Sequence, residues 1–344
     1  MRKVSTLLLF LIVISGCASN KSLTHYEIPP DLRNEVIKNE IIKKYSFFLS
    51  GRKIFLDPGH GGSDRRSIGK LGLVYEADVN LRVALALREY LTKAGAIVFM
   101  SREKDETVEL KKRSEMANQS NADIFISIHH NAPGTTDDVW TNYTSTYFHA
   151  LDTDSEFEPC QHDLARYIQR DLAYVMGNSG GLGSFDGTYS DYTIYPKAGF
   201  SVLRLTQIPA ILVECSFFTN SFEERRLDIT EFNNIEAWGI FRGLAKYFKS
   251  GIPQITPLNN QQFVAGDIEL AYKIADPMGI NPKSIEVYFD SVSVKSNFDQ
   301  LQNILTVNLL RIKPGIHSIR ILCSNNNGNY AFPYRKSIVV QPTL

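Results

Sequence analysis

Apolar positions between residues 53 and 250 fall into two alternating patterns, short continuous runs and longer stretches with helical spacing. Ile54-Phe55-Leu56, Ile97-Val98-Phe99-Met100, Ile124-Phe125-Ile126-Ser127-Ile128 and Ala210-Ile211-Leu212-Val213 read as short buried strands. Leu81, Ala84, Leu85 and Leu91 recur at helical spacing and predict a helix over 76–94 that stops at Gly95. Further helices are predicted over 110–117, 161–176 and 235–248. Such alternation implies an α/β fold, a twisted mixed or parallel sheet with helices on both faces.

After Pro253 the pattern changes to short strands, predicted over 268–274, 285–289, 304–309, 316–323 and 337–340. Asp276-Pro277, Lys313-Pro314-Gly315 and Asn325-Asn326-Asn327-Gly328-Asn329 mark turns between them. A small all-β sandwich of immunoglobulin-like type over 253–344 fits this count. It carries no cluster of catalytic residue types, which assigns it a spacer or docking role. The chemistry is expected in residues 51–250.

At the other end, Arg2 and Lys3 precede the apolar run Leu7-Leu8-Leu9-Phe10-Leu11-Ile12-Val13-Ile14. The run is too short to cross a bilayer permanently and reads as a secretory signal over 1–16. Ile14-Ser15-Gly16-Cys17 resembles the lipobox of bacterial lipoproteins, which implies a lipid on Cys17, a mature chain that begins there and attachment to a membrane. A soluble secreted protein with an incidental Cys17 is the other reading. Ala18 and Ser19 follow the Cys without the Asp that resembles an inner-membrane retention signal. The expected location is the bacterial cell envelope, on the periplasmic side of the outer membrane where the cell has one. Residues 17–50 read as a tether with one short helix around 35–42.

Composition narrows the function further. A chain of 344 residues with 43% hydrophobic residues is ordinary globular protein, long enough for two domains. Lys and Arg number 37, as do Asp and Glu, so no net field draws a polyanion and nucleic acid is not the expected partner. Cys160, Cys215 and Cys323 are far apart and odd in number once Cys17 is set aside; they read as structural or free thiols.

Open α/β sheets bind ligands outside the carboxyl ends of their strands. His60, His129 and Glu214 each follow a predicted strand, and Glu76 opens the helix beside the first of these loops. At these residues the chain resembles the zinc-dependent N-acetylmuramoyl-L-alanine amidases of the type 3 family. Four ordered motifs carry the resemblance: Leu56-Asp57-Pro58-Gly59-His60-Gly61-Gly62, Glu76-Ala77-Asp78-Val79-Asn80-Leu81, Ser127-Ile128-His129-His130-Asn131-Ala132, and Pro209-Ala210-Ile211-Leu212-Val213-Glu214 with Phe217 and Asn220. The resemblance implies His60, Glu76 and His129 as ligands of one Zn2+ per chain and Glu214 as the catalytic acid/base. It further implies peptidoglycan as substrate, cut between N-acetylmuramic acid and L-alanine, and a possible protein activator.

The residue chemistry agrees with that assignment. Two imidazoles and one carboxylate leave a fourth tetrahedral position open, the coordination of catalytic rather than structural zinc. A further carboxylate outside the metal set can take a proton from water and return it to the departing amine. His129 and His130 are neighbours on a strand and point to opposite faces, so only one reaches the metal, and the resemblance selects His129. His130 is left as an exposed residue or a partner behind the ligands.

Several roles stay open at this level. Asp57, Asn80 and Asn131 either orient the ligands or cap turns and helices. Arg102 and Arg113 read as structural ion-pair or surface residues. Residues 133–159, where acidic residues alternate with Trp140, Tyr143, Tyr147 and Phe148, form either a gate over the site or a strand with a surface loop. The Gly-rich stretch 177–183, continuing through Tyr189 and Tyr192, either lines a substrate groove or connects flexibly. Two rival functions remain, a non-catalytic wall-binding or scaffolding lipoprotein with this fold and a zinc peptidase of other specificity.

Overall fold

The computed structural model describes residues 24–135, 137–151, 158–180, 186–259 and 262–343, so the signal segment and Cys17 lie outside the described residues. Its central sheet is built from β1 (Lys53–Pro58), β2 (Ile97–Met100), β3 (Ile124–Asn131), β4 (Ser145–Phe148), β5 (Thr188–Ser190) and β6 (Ala210–Phe217). The strand order is β2-β1-β3-β6-β4-β5. The first four of these pair in parallel, and β4 runs antiparallel to β6. The sheet is therefore mixed, as the alternation predicts.

Side-chain parity on these strands sorts the core. Ile54, Leu56, Ile124, Ile126, Ile128, Ile211 and Val213 face a large apolar layer shared with α1 (Glu35–Leu49), α2 (Glu76–Lys93), α4 (Pro159–Met176) and α7 (Thr230–Lys249). Phe55, Phe125 and Leu212 face the other way, against α3 (Leu110–Gln119) and the single turn α5 (Ser201–Arg204). Ridges of α4 and α7 meet where glycines permit it: a Cβ on Gly243 would lie 2.5 Å from the Cα of Ile168. The short helix α6 (Ser221–Leu227) starts on Asn220, whose side chain accepts from the Phe222 and Glu223 amides.

Residues 26–49, read from sequence as part of a tether, are instead packed onto this layer. Asn34 caps α1 through the Val36 amide at 2.8 Å, and Ile42 and Leu49 are buried. Asp31 receives Arg242 and the Trp238 indole, and Tyr26 donates to Glu231 at 2.6 Å. The amphipathic stretch was too short in its apolar face to announce burial from sequence.

The remainder is all β. β7 (Gln254–Pro257), β9 (Gly266–Ala275), β12 (Asn297–Asp299) and β13 (Ile304–Ile312) form a four-stranded sheet. β8 (Gln262–Val264), β10 (Ile280–Phe289), β11 (Val292–Ser293), β14 (Gly315–Asn325) and β15 (Tyr334–Gln341) form a five-stranded one. Leu270, Tyr272, Leu305 and Val307 from the first share one core with Val287, Ile319, Ile321 and Ile338 from the second. The Asn-rich turn also docks this unit onto the end of α7: Asn325 donates to the Ser250 carbonyl at 2.8 Å, and Asn329 to those of Tyr247 and Gly251 at 3.2 and 3.0 Å. Cys160, Cys215 and Cys323 are buried free thiols.

Candidate active site

Three strands and one helix end at the same edge of the central sheet. β1 runs into Gly59 and His60, β3 ends through His129 and His130, β6 carries Glu214, and Glu76 is the first residue of α2. His60 sits in the left-handed region at φ 60°, a conformation that favours a short turn over continued strand. The turn aims its ring back over the sheet edge. Glu76 Oε2 then lies 3.1 Å from His60 Nε2, and Glu76 Oε1 lies 3.1 Å from His129 Nδ1. One donor atom from each of the three residues falls within 4.8 Å of the others. His129 and Glu214 are register partners on adjacent parallel strands, which places Glu214 beside the cluster rather than in it.

The two glutamates have opposite electrostatics. Burial raises the Glu76 carboxyl, but hydrogen bonds and charge from His129 and His60 outweigh it and hold Glu76 well below the usual carboxylate range. Glu214 has no such partner. Burial, and then the Glu76 charge, push it well above its ordinary value, and its Oε2 is buried with no hydrogen-bond partner among the described residues. The two carboxyls are thus driven apart, Glu76 toward its ionised form and Glu214 toward its neutral one. Burial also lowers His129, whereas His60, despite its burial, is raised to about 9 by Glu76 and Asp64.

Behind the cluster, buried cations hold the His60 loop. Arg102 donates to the carbonyls of Pro58, Gly59 and Ala77 at 2.9, 2.8 and 2.7 Å. Arg113 donates to Asp57 Oδ1, the Pro58 carbonyl and the His60 carbonyl at 2.7, 2.7 and 2.8 Å. Both are structural, and neither is a surface residue. Asp57 also accepts from the Ser101 and Ser127 hydroxyls, so it holds Arg113 under the loop and, among the described residues, makes no hydrogen bond to His60, Glu76 or His129. Asn80 does touch a member of the cluster, donating to Glu76 Oε1 and the Gly59 carbonyl at 3.3 Å each. Asn131 accepts from the adjacent Ala132 amide and so caps a turn rather than orienting a ligand.

Parity sends His130 to the helical side, where it is fully enclosed and not exposed. Asp64, not singled out from sequence, lies 2.8 Å from His60 Nδ1 and fixes the ring from its far side. Its spacing of four residues from His60 carried no signal without knowledge of the Gly-rich turn between them. The described part of 133–159 supplies β4, whose Ser145 pairs with Glu214, and a turn capped by Asp138. Tyr189 stacks on Tyr147 at 5.7 Å, and Tyr192 packs edge-on against His149. Residues 136, 152–157 and 181–185, on which the gate and part of the groove were read, lie outside the described residues.

Gly59 is where the loop comes closest to the cluster. A Cβ there would lie 2.1 and 2.2 Å from Cε1 and Nε2 of His129. Gly59→Ala is therefore expected to displace the His129 ring while leaving the fold intact, and to weaken the hold of the cluster on an added zinc ion about 10- to 100-fold in a chelator competition titration. Unchanged zinc affinity would show that His129 has room to move.

The cluster has the composition of a site with an open metal position, and the donors fit zinc: two imidazole nitrogens, one ionised carboxylate, and a carboxylate behind one imidazole. The profile described as N-acetylmuramoyl-L-alanine amidase matches residues 54–246. The germination-specific N-acetylmuramoyl-L-alanine amidase of Bacillus subtilis is 30% identical over 224 residues, covering 61% of this chain and 85% of that one. The amidase LytC of the same organism is 32% identical over 200 residues, 58% of this chain but only 36% of its own length. Ami1 of Mycobacterium smegmatis, at 22% identity and a TM-score of 0.51, shares the fold over 59% of this chain and 99% of its own. Peptidoglycan hydrolysis is thereby favoured over a wall-binding scaffold, and the chain belongs to the N-acetylmuramoyl-L-alanine amidase family.

Proposed function

We propose that this protein is a zinc-dependent amidase, lipid-anchored through Cys17 in the bacterial envelope, that hydrolyses the bond between N-acetylmuramic acid and L-alanine of peptidoglycan. The observation that carries the reading is the convergence of His60, Glu76 and His129 beside the unpartnered Glu214 carboxyl. His60, Glu76 and His129 would hold the ion. When bound, zinc supplies a Lewis acid that polarises the scissile carbonyl and lowers the pKa of water toward ~7. Glu214, whose ionised form a cation held by the cluster would favour, would take a proton from the attacking water at Oε2 and deliver it to the leaving L-alanine nitrogen. Asp64 keeps the His60 ring turned toward the shared centre. The C-terminal sheets are assigned an immunoglobulin-like sandwich that docks rather than reacts.

Residues 18–344 incubated with purified peptidoglycan test this. About one zinc per chain, together with new L-alanine amino termini by mass spectrometry that vanish in Glu214→Ala, is the expected result. Zinc without cleavage would overturn the amidase reading and leave a metal site of other use. Absence of both would favour the wall-binding reading.

A second expectation follows from His60. With a pKa of about 9 in the zinc-free site, its imidazole is protonated at neutral pH and must lose that proton to ligate. Zinc affinity should therefore rise with pH up to that value and fall below it. Calorimetry at pH 7.5 in buffers of different ionisation enthalpy should register release of about one proton per zinc. No buffer dependence would mean that His60 is already neutral.

A further inference from the structure

We infer that His130 is a positioning residue for the metal ligand Glu76, acting through Asn80 and locked in place by Glu236 on α7. This deepens the zinc amidase reading and rests on it for what Glu76 does. His130 occupies the sheet face opposite to His129, with its side chain and that of Glu236 both at 0% exposure. Its Nδ1 lies 2.8 Å from Asn80 Oδ1 and its Nε2 lies 2.9 Å from Glu236 Oε1.

Donor counting fixes the orientation of each group. The Asn80 amide nitrogen faces two acceptors, the Gly59 carbonyl and Glu76 Oε1, so its oxygen must face His130. His130 Nδ1 therefore carries a hydrogen and donates it. Nε2 in turn faces a carboxylate oxygen, so one proton lies between His130 and Glu236. Glu236 Oε2 accepts from Asn233 Nδ2 at 3.0 Å, and Asn233 Oδ1 accepts from Arg82 Nε at 2.6 Å. Both ends of the Asn80 amide and both nitrogens of His130 are paired on this path, which leaves the Asn80 amide one orientation. That orientation points a donor at Glu76 Oε1 and another at the loop that carries His60.

The backbone of His130 adds a further contact, its amide lying 3.2 Å from the same Glu76 oxygen. A carboxylate set by two donors from behind meets its metal without rotamer loss. His130, Cys215 and Glu236 also bring three donor atoms within 4.8 Å of one another, the makings of a second metal site. Both imidazole nitrogens and the Glu236 oxygens are, however, already committed to one another and to Asn80 and Asn233. The geometry therefore points to a hydrogen-bonded strut.

The test compares zinc affinity, metal count and imidazole protonation in the intact chain. His130→Ala and Glu236→Ala should weaken zinc binding about 10- to 100-fold, and Glu236→Gln, which still bonds Nε2, should stay within about threefold of the parent. Proton-nitrogen NMR of the zinc-loaded protein should show a slowly exchanging Nδ1 hydrogen on His130, a readout that survives if an Ala variant fails to fold. Unchanged zinc affinity in a folded His130→Ala, or a His130 without an Nδ1 hydrogen, would overturn the inference. So would two metals per chain falling to one in His130→Ala or Cys215→Ser. Failure of the amidase reading would show separately, as zinc binding without release of L-alanine ends.

Discussion

Glu214→Gln is expected to lower kcat by about 100- to 10,000-fold while zinc stays bound, the range for loss of a positioned acid/base. The separation of the two effects follows from the sheet. Glu214 stands one strand away from His129 and contributes no donor to the three-residue cluster, so its amide leaves the metal set intact. The substitution is isosteric and replaces a carboxyl whose Oε2 is buried without a hydrogen-bond partner among the described residues. KM should change little, because the lost proton transfer belongs to the transition state. Metal analysis alongside steady-state kinetics on soluble muropeptides decides the matter. Loss of zinc in parallel with activity would make Glu214 a ligand, and retained activity would place the proton carrier elsewhere.

Arg113→Ala is expected to be the most damaging substitution to stability. The guanidinium sits in a pair with Asp57 in which both side chains are nearly fully buried, at 4% and 1% exposure. Removal of the guanidinium leaves the Asp57 charge without its counter-ion and the His60 and Val108 carbonyls without their donor, while the Pro58 carbonyl keeps Arg102. Breaking a buried pair in this way costs about 3–5 kcal/mol. At about 2–4 °C per kcal/mol for a unit of this size, Tm should fall by about 10 °C. Zinc should protect the variant less than the parent, since the His60 carbonyl is one of the freed groups. Arg113→Lys should recover little, because an ammonium with three donors at one point cannot span the four acceptors of the guanidinium fork, Asp57, Pro58, His60 and Val108. Thermal unfolding with and without zinc checks this, and an unchanged Tm would mean that water replaces the guanidinium at no cost.

The parts legible from sequence were those set by short-range periodicity. Strand parity put His129 and His130 on opposite faces, the resemblance chose His129 of the two, and the helix start placed Glu76 beside the first loop. Partners across long sequence separations carried no local signal: Glu236 reaches His130 over 106 residues, and Arg113 reaches Asp57 over 56. β4 was legible only as the unplaced strand of one reading of 133–159, because Ser145-Thr146-Tyr147-Phe148 follows a polar stretch and has no alternation of its own. Asn131 and Asn80 were indistinguishable as residue types, and only their neighbours made one a turn cap and the other a clamp.

The joint at the end of α7 bears on how such a protein can be reassembled. The family match stops at residue 246, and Tyr247 is the first α7 carbonyl taken up by the Asn-rich turn. The seam between the two units is thus a set of backbone carbonyls read by amide side chains, with the Tyr330 amide donating to Asp163 beside it at 2.9 Å. Recombination that exchanged the C-terminal unit at this point would have to bring a turn of matching amides with it. A tail joined only end to end would leave the last helical carbonyls to water, and the two halves would be tethered without a common orientation.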